Sequence, residues 1–79
     1  MRYYERLKNL REDNEMTQAE VAAILKTTQS YYAQYESGKR SLPFDRAIIL
    51  AQFFNISLDY IAGLINYPER LERDGKKTR

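Results

Sequence analysis

The chain of 79 residues contains neither cysteine nor histidine. Without cysteine, no disulfide framework, thiolate metal site or cysteine nucleophile can form. Without histidine, the commonest general base is missing, and the two absences together remove the commonest zinc ligands. Only carboxylates, lysines and tyrosines remain for chemistry. We therefore expect no enzyme, no catalytic residue, no metal site and no cofactor.

Long apolar runs are also missing. No stretch approaches the roughly 18 apolar residues that span a bilayer. The first thirteen residues, MRYYERLKNLRED, lack the apolar centre of a signal peptide. We therefore expect a cytoplasmic protein.

The net charge of +2 is unevenly distributed. The last seven residues carry +3 and residues 1–72 carry −1, so bulk charge is weak evidence for a nucleic-acid partner. Positively charged residues outnumber negatively charged ones between positions 26 and 46. The four cations are Lys26, Lys39, Arg40 and Arg46, and the two carboxylates are Glu36 and Asp45.

The composition favours one compact folded domain, because 43% hydrophobic and 30% charged residues suit a soluble core. The spacing of Tyr3, Leu7 and Leu10 predicts a first helix over about Tyr3 to Asn14. Thr17 and Glu20 form a capping-box pattern that starts a second, two-turn helix. Its apolar side comprises Val21, Ala22, Ile24 and Leu25.

Thr28 can cap a third helix, roughly Gln29 to Ser37, whose core side carries Tyr32 and Tyr35. Gly38 supplies the left-handed residue that ends this helix.

A fourth helix follows, with Pro43 and Asp45 in its first turn. Its apolar face comprises Phe44, Ala47, Ile48, Leu50, Ala51 and Phe54. Asn55 suits the turn after it, and Ser57 caps a fifth helix containing Leu58, Ile61 and Leu64. The predicted fold is all-α, a five-helix bundle over residues 1–65, and residues 66–79 are predicted to be a polar, basic tail.

Two short helices joined by a three- or four-residue turn need the other helices to complete a core, which leaves one side of the third helix outside. Short or amide side chains lie on that side: Gln29, Ser30, Ala33 and Gln34. A glutamine amide matches the donor and acceptor of adenine in the major groove, and Ala33 could meet a thymine methyl. These four residues are the candidate base contacts.

Phosphate contacts are expected around this face, because helix N-termini present unpaired amides and cations attract phosphates. The candidates flank the second and third helices: Gln18, Thr28, Ser37, Lys39 and Arg40.

The run TQAEVAAILKTTQSYYAQYESGKRSLP, Thr17 to Pro43, resembles the helix-turn-helix core of the lambdoid phage repressor and Cro family, the XRE-like transcriptional regulators. Residues from about 3 to 65 follow that family's five-helix pattern. The resemblance implies that Gln18 contacts a phosphate and steadies Gln29, that Gln29, Ser30 and Gln34 reach base edges, and that Ser37 and Lys39 contact phosphates. It also implies a structural ion pair between Arg11 and Glu36.

Three positions depart from the family pattern. Lys26 stands where glycine is usual in the turn, so a left-handed backbone there would cost roughly 1 kcal/mol or more and the turn could differ in shape. Pro43 falls one place late. Tyr31 and Tyr32 place two large rings where smaller residues are common.

The sequence thus favours a DNA-binding regulator, a repressor, that binds a two-fold operator as a homodimer and lies at the nucleoid when bound. Dimer contacts are expected from apolar residues in and after the fifth helix, Tyr60, Leu64, Ile65 and Tyr67. The alternative is a protein-interaction module on the same fold, such as an antitoxin or anti-repressor. Gln29 and Gln34 could then be ordinary solvated amides, and the tail cations Lys76, Lys77 and Arg79 could be solvated or contact DNA.

Overall fold

A computed structural model describes residues 2–69, and within that range all regular structure is helical. The five helices are α1 (Tyr3–Asp13), α2 (Gln18–Ile24), α3 (Gln29–Glu36), α4 (Phe44–Phe54) and α5 (Leu58–Ala62). The five-helix, all-α fold expected from the sequence is therefore confirmed. Most of the expected tail, residues 70–79 with Lys76, Lys77 and Arg79, lies outside the described residues.

Three hydroxyl side chains start helices as their sequence positions predict. The Oγ1 of Thr17 accepts a hydrogen bond from the Glu20 N–H at 3.1 Å, and Glu20 reaches back to the Thr17 N–H at 2.8 Å. Thr28 accepts from the Tyr31 N–H at 3.1 Å, and Ser57 accepts from the Tyr60 N–H at 3.2 Å. Each cap satisfies an amide that the first helical turn leaves unpaired, and so fixes where α2, α3 and α5 begin.

The core lies where the five helices meet, and its largest side chains that are less than 2% exposed come from four of the helices and one loop. They are Tyr32, Tyr35, Leu7, Leu50, Ile56 and Val21. The prediction that Tyr32 and Tyr35 belong to the core is confirmed, since each is 1% exposed. The buried side of α3 is thereby fixed, and its other side is left to solvent.

A buried arginine holds the segment after α5 against α1. Arg6 is 4% exposed and lies 4.0 Å above the Tyr60 ring, measured from the guanidinium carbon to the ring centroid. It donates to the carbonyl oxygens of Tyr60 and Ile65, each at 3.2 Å. The Tyr60 carbonyl also accepts from the Gly63 N–H at 3.1 Å, so Arg6 adds a second donor there and ties the Ile65 carbonyl beyond α5 to α1.

Three sequence expectations about element ends were wrong in detail. Leu64 is not in the last helix, because Gly63 adopts a left-handed conformation that ends α5, and Leu64 is 75% exposed. Pro43 is the N-cap of α4 and does not belong to its first turn. Phe44 begins α4 but is 70% exposed, so it lies off the buried face.

Candidate nucleic-acid interface

The connection between α2 and α3 keeps its left-handed turn although lysine replaces glycine. Lys26 has φ +58°, and its N–H donates to the Ala23 carbonyl at 3.1 Å. The Thr27 N–H then donates to the Ala22 carbonyl at 3.0 Å. The possibility that this turn is differently shaped is therefore not borne out, because backbone hydrogen bonds hold Lys26 in a conformation that L residues normally avoid.

The outward side of α3 carries the four candidate base-contact residues. Gln29 and Ser30 are exposed, and Ala33 and Gln34 are half-buried. None of the four side chains is charged, so no like charge on the strip opposes the approach of a polyanion, and the cost of desolvating the strip is smaller than for charged groups. The structure thus brings the four side chains together on one accessible strip, which we call the α3 strip.

Gln34 is not an isolated amide at the end of this strip. The Nε of Arg40 donates to Gln34 Oε1 at 3.4 Å, and the Arg40 backbone N–H donates to the Gln34 carbonyl at 3.1 Å. The Arg40 guanidinium carbon lies 4.6 Å from the centroid of the Tyr31 ring, within cation–π distance. Sequence reasoning placed Arg40 at phosphates only and missed these contacts, because they depend on how the loop after Gly38 folds back onto α3.

Behind the α3 strip, an ion pair joins α1 to the end of α3. Arg11 Nε donates to Glu36 Oε2 at 2.7 Å and Arg11 Nη2 donates to Glu36 Oε1 at 3.1 Å, so the pair is bidentate. Their side chains are only 12% and 4% exposed. The contact that the family resemblance implies for these residues is present.

Two neutral side chains complete the hydrogen bonding of this carboxylate. The Gln18 amide nitrogen donates to Glu36 Oε1 at 3.1 Å, and the Tyr32 hydroxyl donates to the same carboxylate. Burial alone would raise the pKa of Glu36, but hydrogen bonds from Arg11, Tyr32 and Gln18 hold that pKa below its ordinary value. Burial raises the pKa of the Tyr32 hydroxyl, so Tyr32 remains a donor.

The contact to Glu36 was not foreseen for Gln18, which the family resemblance pairs with a phosphate and with Gln29. Because one amide hydrogen is committed to the carboxylate, the network fixes the direction in which the rest of the Gln18 side chain points. Gln18 therefore links the buried ion pair to the surface at the start of α2.

The remaining phosphate candidates lie at the two ends of α3. Thr28 is exposed at its N-cap, where its hydroxyl accepts from the Tyr31 N–H. At the other end, Ser37 donates to the Gln34 carbonyl at 3.2 Å and accepts from the Lys39 N–H at 3.4 Å. Ser37, Lys39 and Arg40 are exposed.

The structure adds one cation that sequence reasoning missed. Lys8 of α1 is exposed and lines a shallow depression together with Gln18, Ala33, Glu36 and Ser37. The available signal was its position three residues before Arg11, on the same side of α1, since Arg11 reaches the end of α3. By contrast, Arg46 of the basic segment does not line this depression and donates to the hydroxyl of the buried Tyr35 at 2.9 Å.

Residues 7–61, from α1 to the last turn of α5, match the helix-turn-helix family. The chain belongs to this family, the XRE-like DNA-binding transcriptional regulators. It is also 34% identical over 76 residues to an uncharacterized HTH-type transcriptional regulator of Bacillus subtilis (strain 168), YobD. That alignment covers 95% of this chain and 68% of the relative. No solved structure gives a significant match.

Residues 2–69 of this helix-turn-helix protein lack two other kinds of feature. Its longest helices, α1 and α4, have 11 residues each, so none of the described helices could span a bilayer. In the same range, no cluster of three or more histidine, cysteine, aspartate or glutamate residues is placed to hold a metal ion.

Proposed function

We propose that this chain is a sequence-specific repressor that inserts α3 into the major groove of an operator and reads bases with the α3 strip. The observation that carries the proposal is the accessible, uncharged strip on the helix-turn-helix, backed by the buried Tyr32 and Tyr35. An α-helix fits the major groove, which is about 12 Å wide, and uncharged amide and hydroxyl groups suit its base edges. The repressor role follows from occlusion of a promoter by a bound regulator.

Each residue of the strip has a chemistry that fits a base. Gln29, near the start of α3, can donate to N7 and accept from N6 of adenine. Ser30 can serve several base edges, and Ala33 can pack against a thymine methyl. Gln34 lies one turn further along and reaches the next bases.

Phosphates on either side would be contacted by residues that carry no sequence information. At the start of the motif these are Gln18 and Thr28, and beyond α3 they are Ser37, Lys39 and Arg40. Lys8 joins them, because it lies beside Gln18 and Ser37. Such contacts set register and supply most of the salt-dependent affinity.

A homodimer would place two such helices in successive major grooves, about 34 Å apart. The surface we assign to the dimer contact follows α5, where Leu64 and Tyr67 are 75% and 62% exposed. Arg6 anchors this segment through the Ile65 carbonyl, so both apolar side chains are presented from a fixed backbone. A preorganised segment loses little entropy when a second copy binds.

The test is a selection of bound duplexes from a random pool, followed by affinity measurements at several salt concentrations. A repressor of this kind should enrich a two-fold sequence, and its affinity for any duplex should fall steeply as salt rises. A protein-interaction module would enrich no sequence and show almost no salt dependence. A lack of both sequence enrichment and salt dependence would contradict the proposal.

A further inference from the structure

Gln34 and Arg40 are tied together by two hydrogen bonds. The backbone N–H of Arg40 donates to the Gln34 main-chain carbonyl at 3.1 Å. The side-chain Nε of Arg40 donates to Gln34 Oε1 at 3.4 Å. The first contact fixes where the Arg40 backbone lies relative to α3, and the second places its guanidinium on the oxygen side of the Gln34 amide.

The guanidinium has a support of its own. It lies over the ring of Tyr31, with 4.6 Å between the guanidinium carbon and the ring centroid. The Tyr31 ring packs edge-on against the ring of Tyr35, at a centroid distance of 5.7 Å, and Tyr35 is 1% exposed. Arg40 is thus held on α3 through an aromatic contact that reaches the core, and it loses little further freedom when it orients Gln34.

An amide oriented in this way presents its nitrogen. An unrestrained glutamine recognises adenine with both ends, since Oε1 accepts from N6 and Nε2 donates to N7. With Arg40 on the oxygen side, the Gln34 amide has one acceptor site fewer for a base and keeps both N–H donors. Those donors match bases with major-groove acceptors and no neighbouring donor, which are guanine, with O6 and N7, and thymine, with O4.

We propose that Arg40 is a specificity-determining positioning residue, which turns the Gln34 amide so that it reads guanine or thymine by donation and disfavours adenine. The inference rests on the proposed function, in which α3 enters the major groove. Arg40 still contributes to affinity, because its two terminal nitrogens can donate to a phosphate.

The test compares four duplexes that differ at one base pair of the selected operator. That pair is the one at which Gln34→Ala abolishes base preference. Fluorescence anisotropy should show that the wild-type protein binds the guanine or thymine duplex roughly tenfold more tightly than the adenine duplex. In Arg40→Ala the amide oxygen is released, so adenine should gain about tenfold relative to guanine and thymine.

Lys39→Ala is the matched control, because it removes the adjacent exposed cation and leaves the Gln34 contact intact. It should weaken all four duplexes alike. Tyr31→Leu removes the ring beneath the guanidinium and should shift preference in the same direction as Arg40→Ala, with circular dichroism used to verify folding.

The results distinguish a failure of the Arg40 inference from a failure of the proposed function. If Arg40→Ala weakens the four duplexes evenly, or if the wild-type protein prefers adenine, Arg40 does not orient Gln34 and this inference is overturned while the proposed function stands. If the wild-type protein selects a sequence but no base preference depends on Gln34, this inference is again overturned while the other residues of the α3 strip can still read bases. If the wild-type protein selects no sequence, the proposed function fails and the inference fails with it.

Discussion

At the scale of single residues, two left-handed positions shape the surroundings of α3. Gly38 ends the helix region with φ +81°, and a Cβ added there would lie 2.8 Å from the Tyr4 ring, so glycine is required on two counts. Lys26 has φ +58° in the turn before α3, where a lysine side chain is accommodated. Lysine there retains the backbone strain that glycine would relieve.

Lys26→Gly should therefore raise the free energy of unfolding. A left-handed conformation costs an L residue roughly 1–2 kcal/mol, which glycine avoids. The greater freedom of glycine in the unfolded chain offsets about 0.5–1 kcal/mol of that gain in stability. The expected net gain is about 0–1.5 kcal/mol, measured by urea unfolding.

Ala23→Gly is the matched control for this change, because Ala23 is exposed and lies within α2. Glycine at that position should cost about 1 kcal/mol. Equal losses in the two variants would show that the Lys26 backbone is not strained.

At the scale of elements, the Glu36 carboxylate connects three helices. It accepts from Arg11 of α1, from Gln18 of α2 and, within α3, from Tyr32. The bidentate pair fixes the end of α3 against α1, and Gln18 fixes the start of α2 to the same group. The orientation of α3 relative to the other two helices thus depends on one buried charge.

Glu36→Gln should destabilise the protein at neutral pH by about 3 kcal/mol, because the Arg11 charge, with a side chain that is 12% exposed, loses its charged partner. The folded-state pKa of Glu36 is lowered, so its contribution is fully present above the pKa of the unfolded chain. That contribution is lost as the pH falls through the lowered folded-state pKa. The stability difference between wild type and variant should therefore shrink on acidification, as followed by denaturant unfolding at a series of pH values.

Glu12→Gln provides the comparison, since Glu12 lies 4.0 Å from the same arginine but its side chain is 53% exposed. Its loss should change the free energy of unfolding by no more than about 1 kcal/mol. If the difference in unfolding free energy between wild type and Glu36→Gln does not change with pH, the ionised Glu36 carboxylate is not the source of that stability.

The helices were predictable because their ends are coded locally. Thr17, Thr28 and Ser57 cap the helices that their positions suggested, since a cap needs only a hydroxyl and an amide a few residues away. The error at Leu64 arose because its apolar spacing continues past Gly63, whose left-handed backbone ends α5. The contacts of Arg40 with Gln34 could not be read from spacing, because they depend on how the loop after Gly38 packs on α3. For Lys8, the spacing to Arg11 gave its side of α1 but not its place beside Ser37.

At the scale of the whole molecule, the surface proposed to bind DNA and the surface proposed for the dimer come from different segments of the chain. The α3 strip and the neighbouring cations Lys8, Lys39 and Arg40 belong to α1, α3 and the loop after α3, whereas Leu64 and Tyr67 follow α5. A regulator that binds DNA as a dimer needs such a division, because one surface must remain accessible while the other is covered.

Leu64→Ser should weaken self-association, since it removes a large exposed apolar side chain from the surface assigned to the dimer. We expect the dimer dissociation constant, measured by sedimentation equilibrium, to rise about tenfold or more. Ile49→Ser alters an apolar side chain of α4 that is 39% exposed and should leave self-association unchanged. A protein that stays monomeric at high concentration and with operator present would contradict this assignment.

The most direct test of the α3 strip as the reader of base sequence is the ratio of affinities for the selected operator and for random DNA. Gln29→Ala should weaken the binding free energy for the operator by about 1–3 kcal/mol and reduce the base preference at one base pair. Its affinity for random DNA should stay nearly unchanged. Lys39→Ala should weaken both DNAs alike and preserve the ratio. If the two variants lower the ratio equally, or if Gln29→Ala leaves it unchanged, the strip does not read the sequence.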